Sequence, residues 1–462
     1  MSWWEDSLRG IWMTEKSELA EEVVELVARL GGRTCDVLVA DARVTTAEVE
    51  KSSIKQANFL ADPGIAIRVF ENGSSGFVYC TSQIAAEVNK AAELAVSQAR
   101  AGIPDADFKG LPEPVPLVAV DGLYDPKVAA LRPEEAVDLL LLLVDEASAD
   151  DRISSVNAGL TVSTGEVALA NSNGLVATQK MTSFDVFAEA VARSGDLMFS
   201  GMDYASSRKL NPDSPLTVGR SAKEHAVKGL KHVKAQTGDY PVVLDPLAAG
   251  YILSTAIGGG ANAENIQRKR SYLAGRLGTV VGSENLSIYD DPTLEWAIGS
   301  TSFDGEGVGP RRKAVIDKGV LKTYLYDSYT AGKDSVESTG NSSRGGAIWS
   351  YRHPPVISFA NLVVQSGDAS LDEMIEDCDK GVYLRVTFDS PNLATGEFSC
   401  LMMESYAIED GDIGPAIRQS TMGISLLDMF SKIDLIGSSP RHAFGVETPA
   451  LRISSAKIGG SG

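Results

Sequence analysis

The chain is 462 residues long, 44% hydrophobic and 23% charged, a composition that gives a folded protein with ample core and excludes disordered and fibrous classes. Its 42 Lys+Arg stand against 62 Asp+Glu, a formal charge of −20 whose field repels phosphate backbones and anionic lipid, so neither direct nucleic-acid binding nor membrane binding is expected. The four histidines and four cysteines show no chelating or C-x-x-C spacing, and Cys35, Cys80, Cys378 and Cys400 read as reduced, mostly buried thiols.

Residues 1–12 carry three of the five tryptophans and read as an extension ahead of Met13. No basic segment followed by an apolar run opens the chain, and its longest apolar run, 139–144, is far short of a spanning helix. The expected location is the cytoplasm. From 15 to 30, Leu19, Val23, Leu26, Val27 and Leu30 recur at helical spacing, and Gly31-Gly32 stops the helix. A valine-rich strand at 36–42 follows, then a polar stretch. A strand pair, 65–70 and 76–80, is joined by Glu71-Asn72-Gly73, a hairpin signal. A second helix spans 83–100. Pro133-Glu134-Glu135 opens a third through about 147, with proline in the tolerated first turn and carboxylates at the positive dipole end. The period then changes to two, and strands are predicted at 154–162, 166–170, 175–182 and 184–191, an antiparallel meander. After a polar joint at 206–214, a helix is expected at 221–233, carrying His225 and His232. From Tyr240 onward the texture is short β-rich segments with many glycines, apart from a helix at 371–378. The domain boundary falls near 237.

Gly258, Gly259 and Gly260 with Ala263 fit G-x-G-x-x-A, the dinucleotide pattern, but 246–256 suits a helix better than the strand that pattern needs. The glycines read instead as a helix terminus or flexible loop. His225 and His232 stand seven apart, whereas metal pairs on a helix need i,i+3 or i,i+4 spacing, so a solvated helix face is expected. His353 and His442 sit in loop-like surroundings, and neither has a local nucleophile or orienting partner. The chain holds no G-x-S-x-G elbow, P-loop, H-E-x-x-H or EF-hand loop. Asp304 and Glu306, with Arg311, Arg312 and Lys313, form a glycine-rich charged cluster whose composition reads as a solvated loop.

These segments resemble the TldD/PmbA family, described as modulators of DNA gyrase and as metalloprotease subunits. The resemblance rests on Thr-Gly-Asp-Tyr-Pro-Val-Val-Leu at 237–244 with Ala-Ala-Gly at 248–250, and on Ser-Thr-Ser-Phe-Asp-Gly-Glu-Gly-Val at 300–308 with Arg311-Arg312. It continues through Asp-Lys-Gly-Val-Leu at 317–321, Tyr329, Ser-Thr-Gly-Asn at 338–341, Gly-Glu-Phe-Ser at 396–399 and Gly-Val-Glu-Thr-Pro-Ala-Leu-Arg-Ile at 445–453. Gly-Ile-Ala-Ile-Arg-Val-Phe at 64–70 agrees as well, so nearly everything after Met13 is covered.

The resemblance implies an α+β fold of two domains. An N-terminal α/β layer with an antiparallel meander would occupy 13–236, and a β-rich C-terminal domain 237–462. The TldD kind of subunit carries an H-E-x-x-x-H helix and a cysteine near the C-terminus as zinc ligands, the glutamate activating the metal-bound water. In this chain the histidine positions fall on Ser254 and Gly259 and the glutamate position on Thr255. No histidine occurs between His232 and His353, and no cysteine follows Cys400. The resemblance therefore places the chain with the PmbA (TldE) kind, a non-catalytic partner with no cofactor of its own and zinc in a TldD-like paralogue. Gly258, Gly260, Asp304 and Glu306 are then the expected residues near a channel for unfolded peptide. The alternatives are a homodimeric peptide-binding or regulatory scaffold, and an enzyme using Ser254 or Thr255 as nucleophile with a distant histidine.

Overall fold

The computed structural model describes residues 15–418 and 420–460, so the extension expected at 1–12 lies outside the described residues. The opening amphipathic pattern forms α1 (Lys16–Arg29), which buries Leu19, Ala20, Val23 and Val27, because the 3.6-residue period sets them on one face. The chain continues through β1 (Thr34–Glu50), β2 (Ser53–Glu71), β3 (Ser74–Cys80) and α2 (Ala85–Ala101). Asn72-Gly73 joins β2 to β3 at positive φ, as its sequence signals. The polar stretch at 43–64, in contrast, is strand almost throughout. β1 and β2 form one long hairpin turned at Lys51 and Ser52, with φ of 51° and 61°, the twist a two-residue turn requires without the Asn-Gly that usually announces it.

After α3 (Pro126–Ala130) and α4 (Pro133–Ala147) comes the meander, β4 (Ile153–Asn171), β5 (Val176–Ser194) and β6 (Leu197–Ser207). It has fewer and longer strands than expected. Ser163, Thr164 and Gly165 do not break the chain, because each pairs on both sides, with β1 and with β5. Two ladders of backbone hydrogen bonds outweigh the turn preference of those residues. The six strands lie in the order β3-β2-β1-β4-β5-β6.

The next helix, α5 (Ser214–Lys228), starts earlier than 221, with Pro215 in its first turn, and ends at Gly229. His232 is therefore not on a helix. It opens β7 (His232–Lys234), which pairs in parallel with Asp412–Arg418. One face of the six-stranded sheet carries the helices: Cys35, Val37 and Val39 pack with α1 and α2, while Ala47 and Val49 pack with α4 and α5. The other face, through Leu38, Ala40, Ala66 and Leu169, rests on Phe303, Trp349 and Tyr351 from the second half of the chain.

The second half begins with β8 (Gly238–Leu244) and α6 (Pro246–Gly260). β8 lies in a nine-stranded sheet between Lys380–Val386, parallel to it, and Leu451–Gly459, antiparallel. The architecture is α+β, as expected. Cys35, Cys378 and Cys400 are buried and Cys80 half-buried, all as free thiols. Among the described residues no helix is long and apolar enough to cross a membrane.

Candidate functional site

Helix α6 is where the resemblance sets the catalytic ligands of the zinc-bearing subunits. The helix starts cleanly because Asp245 caps it, its Oδ1 accepting from the Leu247 N–H at 2.8 Å, with Pro246 in the first turn. Leu247, Ala248, Ala249, Ile252, Leu253, Ala256 and Ile257 enter the core. Tyr251, Ser254, Thr255, Gly258 and Gly259 make a half-buried opposite face. The Ser254 hydroxyl donates to Tyr251 O at 2.8 Å and that of Thr255 to Ile252 O at 3.0 Å, so both protons are spent on the helix itself. No histidine among the described residues bonds either hydroxyl, and the arrangement lacks the base a serine or threonine nucleophile needs.

At Gly259 a Cβ would stand 2.4 Å from Leu393 Cδ1, at Gly258 2.6 Å from Phe359 Cε1, and at Gly260 2.7 Å from Tyr272 Cε1. Apolar side chains thus lie against the glycines where larger residues would project. Two hydroxyls turned into the helix and one glycine supply no imidazole, thiolate or carboxylate, and these residues do not fit zinc. Gly258 to Gly260 form the last turn of α6, so the G-x-G-x-x-A pattern is preceded by a helix instead of a strand and lacks the dinucleotide setting.

Next to the start of α6 lies a buried polar network. The Tyr383 hydroxyl donates to Asp245, and burial, then the Asp245 charge, pushes its ionisation far up. Arg385 Nη1 reaches Glu404 at 2.9 Å and its Nη2 reaches Asp203 at 3.2 Å. Burial pushes the Asp203 carboxyl up, but Arg441 and Arg385 outweigh it and hold the group below its ordinary range. His225 belongs to this network, with Nδ1 2.8 Å from Glu404 Oε1 and 2.9 Å from Tyr406 OH. The expected solvated face is corrected: α5 turns His225 toward the strand Glu404–Glu409. His442 also departs from its loop reading, since it sits in the strand Arg441–Ala443 and burial lowers its pKa.

Asp304 and Glu306 are only 3% and 4% exposed, so their loop is not solvated. Asp304 Oδ1 accepts from the N–H groups of Glu306 and Val308, both at 2.9 Å, and Oδ2 from that of Ser342 at 3.0 Å. Glu306 pairs with Arg68 of β2 at 2.9 Å, Arg68 Nε donates to Asp36 of β1 at 2.7 Å, and the fully buried Arg344 donates to Asp36 at 2.9 Å and to Gly305 O at 2.9 Å. The glycine-rich loop therefore acts as the clamp between the six-stranded sheet and the second half. No hydrogen bond or ion pair among the described residues links it to Gly258, Gly259 or Gly260. Arg385, Glu404, Asp203, Asp36 and Arg344 carry these networks and were not visible in the sequence, where each is a lone charge with no periodic signal. Arg311 and Arg312, by contrast, are exposed as composition suggested.

Comparison with known proteins agrees with this architecture over most of the chain. A metalloprotease PmbA homolog of Haemophilus influenzae is 26% identical over 97% of this chain and 97% of its own. A metalloprotease TldD homolog of the same organism is 26% identical over 89% of this chain and 90% of its own. The crystal structure of TldE from Thermococcus kodakarensis shares the fold with a TM-score of 0.88 at 22% identity, covering 96% of this chain and 100% of that one. That of a candidate modulator of a DNA gyrase from Thermotoga maritima does so with a TM-score of 0.85 at 25% identity, covering 96% and 99%. Family models match in order along the chain: PmbA/TldA metallopeptidase domain 1 at 35–99, the central domain at 126–230 and the C-terminal domain at 237–460. With all three domains present in sequence and in space, the chain belongs to the PmbA/TldD metallopeptidase family.

Proposed function

We propose that this chain is a zinc-less, TldE-like subunit of a TldD/TldE-type metalloprotease, working in the cytoplasm beside a zinc-bearing TldD-like paralogue on unfolded peptides. The observation that carries the reading is the face of α6. On the resemblance, Ser254 and Gly259 stand where the zinc-binding histidines would be and Thr255 where the water-activating glutamate would be, while Leu393 and Phe359 lie against Gly259 and Gly258. What supports pairing with a second chain is the first half of β2. From Ser53 to Ala61 it is exposed on both sides and, among the described residues, unpaired on its outer edge because β3 begins to pair only at Ile65, and it presents Ile54, Phe59 and Leu60 to solvent. An open, apolar sheet edge is a liability in a lone protein and an asset in a subunit.

The test is reconstitution. The purified chain is expected to bind less than a tenth of an equivalent of zinc and to leave unfolded peptide intact. Mixed with the TldD-like paralogue, it is expected to give a stable complex with peptidase activity above that of the paralogue alone. Stoichiometric zinc together with peptidase activity in the isolated chain would overturn the proposal.

A further inference from the structure

The far end of β6 joins the Arg385–Glu404–Asp203 network, but among the described residues its Met198–Ser200 edge makes no side-chain bond to that network or to the α6 face. Among the described residues β6 ends the six-stranded sheet and pairs only with β5. Successive residues of a strand turn their N–H and C=O groups to alternate sides. At Met202 and Tyr204 these groups face away from β5: Arg385 Nη1 donates to Met202 O at 2.7 Å and Arg441 Nη2 to Tyr204 O at 2.6 Å. By the same alternation the backbone groups of Met198 and Ser200 also face outward, and among the described residues nothing meets them.

They open into a groove of about 520 Å³ between β5–β6 and the nine-stranded sheet. Phe187, Met198 and Met202 line one side, and Phe388, Met403 and Ile417 the other. Phe187 and Phe388 are 39% and 40% exposed, Met198 and Met403 51% and 49%, large apolar side chains left open to water together. Methionine is unbranched and polarizable, and a wall built from it adapts to side chains of varied shape.

We propose that this groove binds an extended segment of unfolded polypeptide, which adds as a short strand to the Met198–Ser200 edge and places alternate apolar side chains between the Phe187–Met198 and Phe388–Met403 walls. The proposal rests on the reading of the chain as a peptide-handling subunit and gives that reading a site and a preference for apolar sequence. Backbone donors and acceptors at a two-residue repeat match an extended peptide and no compact small molecule. Arg385 and Arg441 close the edge beyond Ser200, so only a short stretch is open. A flexible chain fits it, while the strand of a folded second copy would run into those arginines. Three charged residues, Glu189, Glu404 and Arg418, also line the groove, and Glu404 is already paired to Arg385.

The experiment measures fluorescence anisotropy on the full chain without any paralogue, using a fluorescein-labelled decapeptide of alternating leucine and serine. Binding is expected, and at least tenfold weaker binding is expected for an all-serine decapeptide and for the leucine–serine peptide N-methylated at alternate residues. Ser200→Pro, which removes an outward N–H at an edge position where proline is tolerated, and Met403→Asp, on the opposite wall, should each weaken binding at least tenfold with unchanged circular dichroism. If Ser200→Pro fails to fold, Met403→Asp and the methylated peptide decide the matter. No binding of the leucine–serine peptide, equal binding of the methylated one, or a dimer in sedimentation that Met403→Asp dissociates would overturn the proposal. Zinc content and peptidase activity are not read here, so this site and the zinc-less subunit reading fail separately.

Discussion

Asp304 accepts three backbone N–H groups, which suits a carboxylate, yet it is buried beside Glu306. Burial, then the Glu306 charge, pushes its carboxyl up to about 7. A folded-state value above the unfolded one means that folding favours the protonated form. The stability this group contributes is complete below about pH 4 and is lost as the pH rises through about 7. Asp304→Asn holds the side chain neutral at every pH, at a constant cost of about 1 kcal/mol for the amide NH2 turned toward the Ser342 N–H. The melting temperature of the wild type minus that of Asp304→Asn should therefore be highest at and below about pH 4, fall from there through pH 7 and level off by pH 8. Melts across that range check this, and a difference flat from pH 5 to pH 8 would contradict it. At this scale the sequence was least legible. Asp304 and Glu306 stand among glycines and basic residues, a composition shared by solvated loops, and only Arg68 and Arg344, arriving from far along the chain, make the loop a buried one.

Elements were more legible, because each declares itself through neighbours. The apolar spacing of α1, α2 and α4, the Pro133-Glu134-Glu135 start and the Asn72-Gly73 turn are local signals, and the structure follows them. The misses have local causes too. Lys51 and Ser52 turn a hairpin with residues that rarely take positive φ, and Ser163 to Gly165 remain extended because strands flank them on both sides. Helix α6 was readable as a helix from its apolar residues, but the need for Gly250 within it was not. A Cβ there would lie 2.7 Å from Ala443 O and 2.8 Å from Ala443 Cβ, so α6 can approach the strand Arg441–Ala443 only through a bare backbone. Gly250→Ala would gain about 1 kcal/mol of helix propensity but force apart a helix and a strand neither of which can yield locally. Overpacking of this kind costs about 1–3 kcal/mol, and because backbone has to move, the upper part of that range applies. A net loss of about 1–2 kcal/mol is the expected outcome in urea unfolding, and a variant more stable than wild type would show that the contact relaxes freely.

Across the whole molecule, the two halves are joined by charges whose partners lie far apart in the chain: Asp36 and Arg344 are 308 residues apart, and Arg68 and Glu306 are 238. No window along the sequence contains both members of either pair, so the bond between the halves could not be read from sequence. The Asp36–Arg344 pair is sealed from water, at 2% and 0% side-chain exposure. Burying two charges is expensive, and removing one partner leaves the other poorly compensated, a loss of about 3–5 kcal/mol. Arg68 still faces Asp36, which places Arg344→Ala at the lower end, about 3 kcal/mol. Because Arg344 also holds Gly305 O, the same change loosens the Asp304–Glu306 loop from the sheet it clamps. Calorimetry should therefore show the main transition of Arg344→Ala at a lower temperature than wild type, with the six-stranded sheet and the second half beginning to melt separately. Replacing Asp36 by Ala as well should recover part of the loss, because the double variant no longer buries an undercompensated carboxylate. Equal melting of wild type and Arg344→Ala would mean that the apolar contact of Leu38, Ala66 and Leu169 with Phe303, Trp349 and Tyr351 joins the halves without help from the charges.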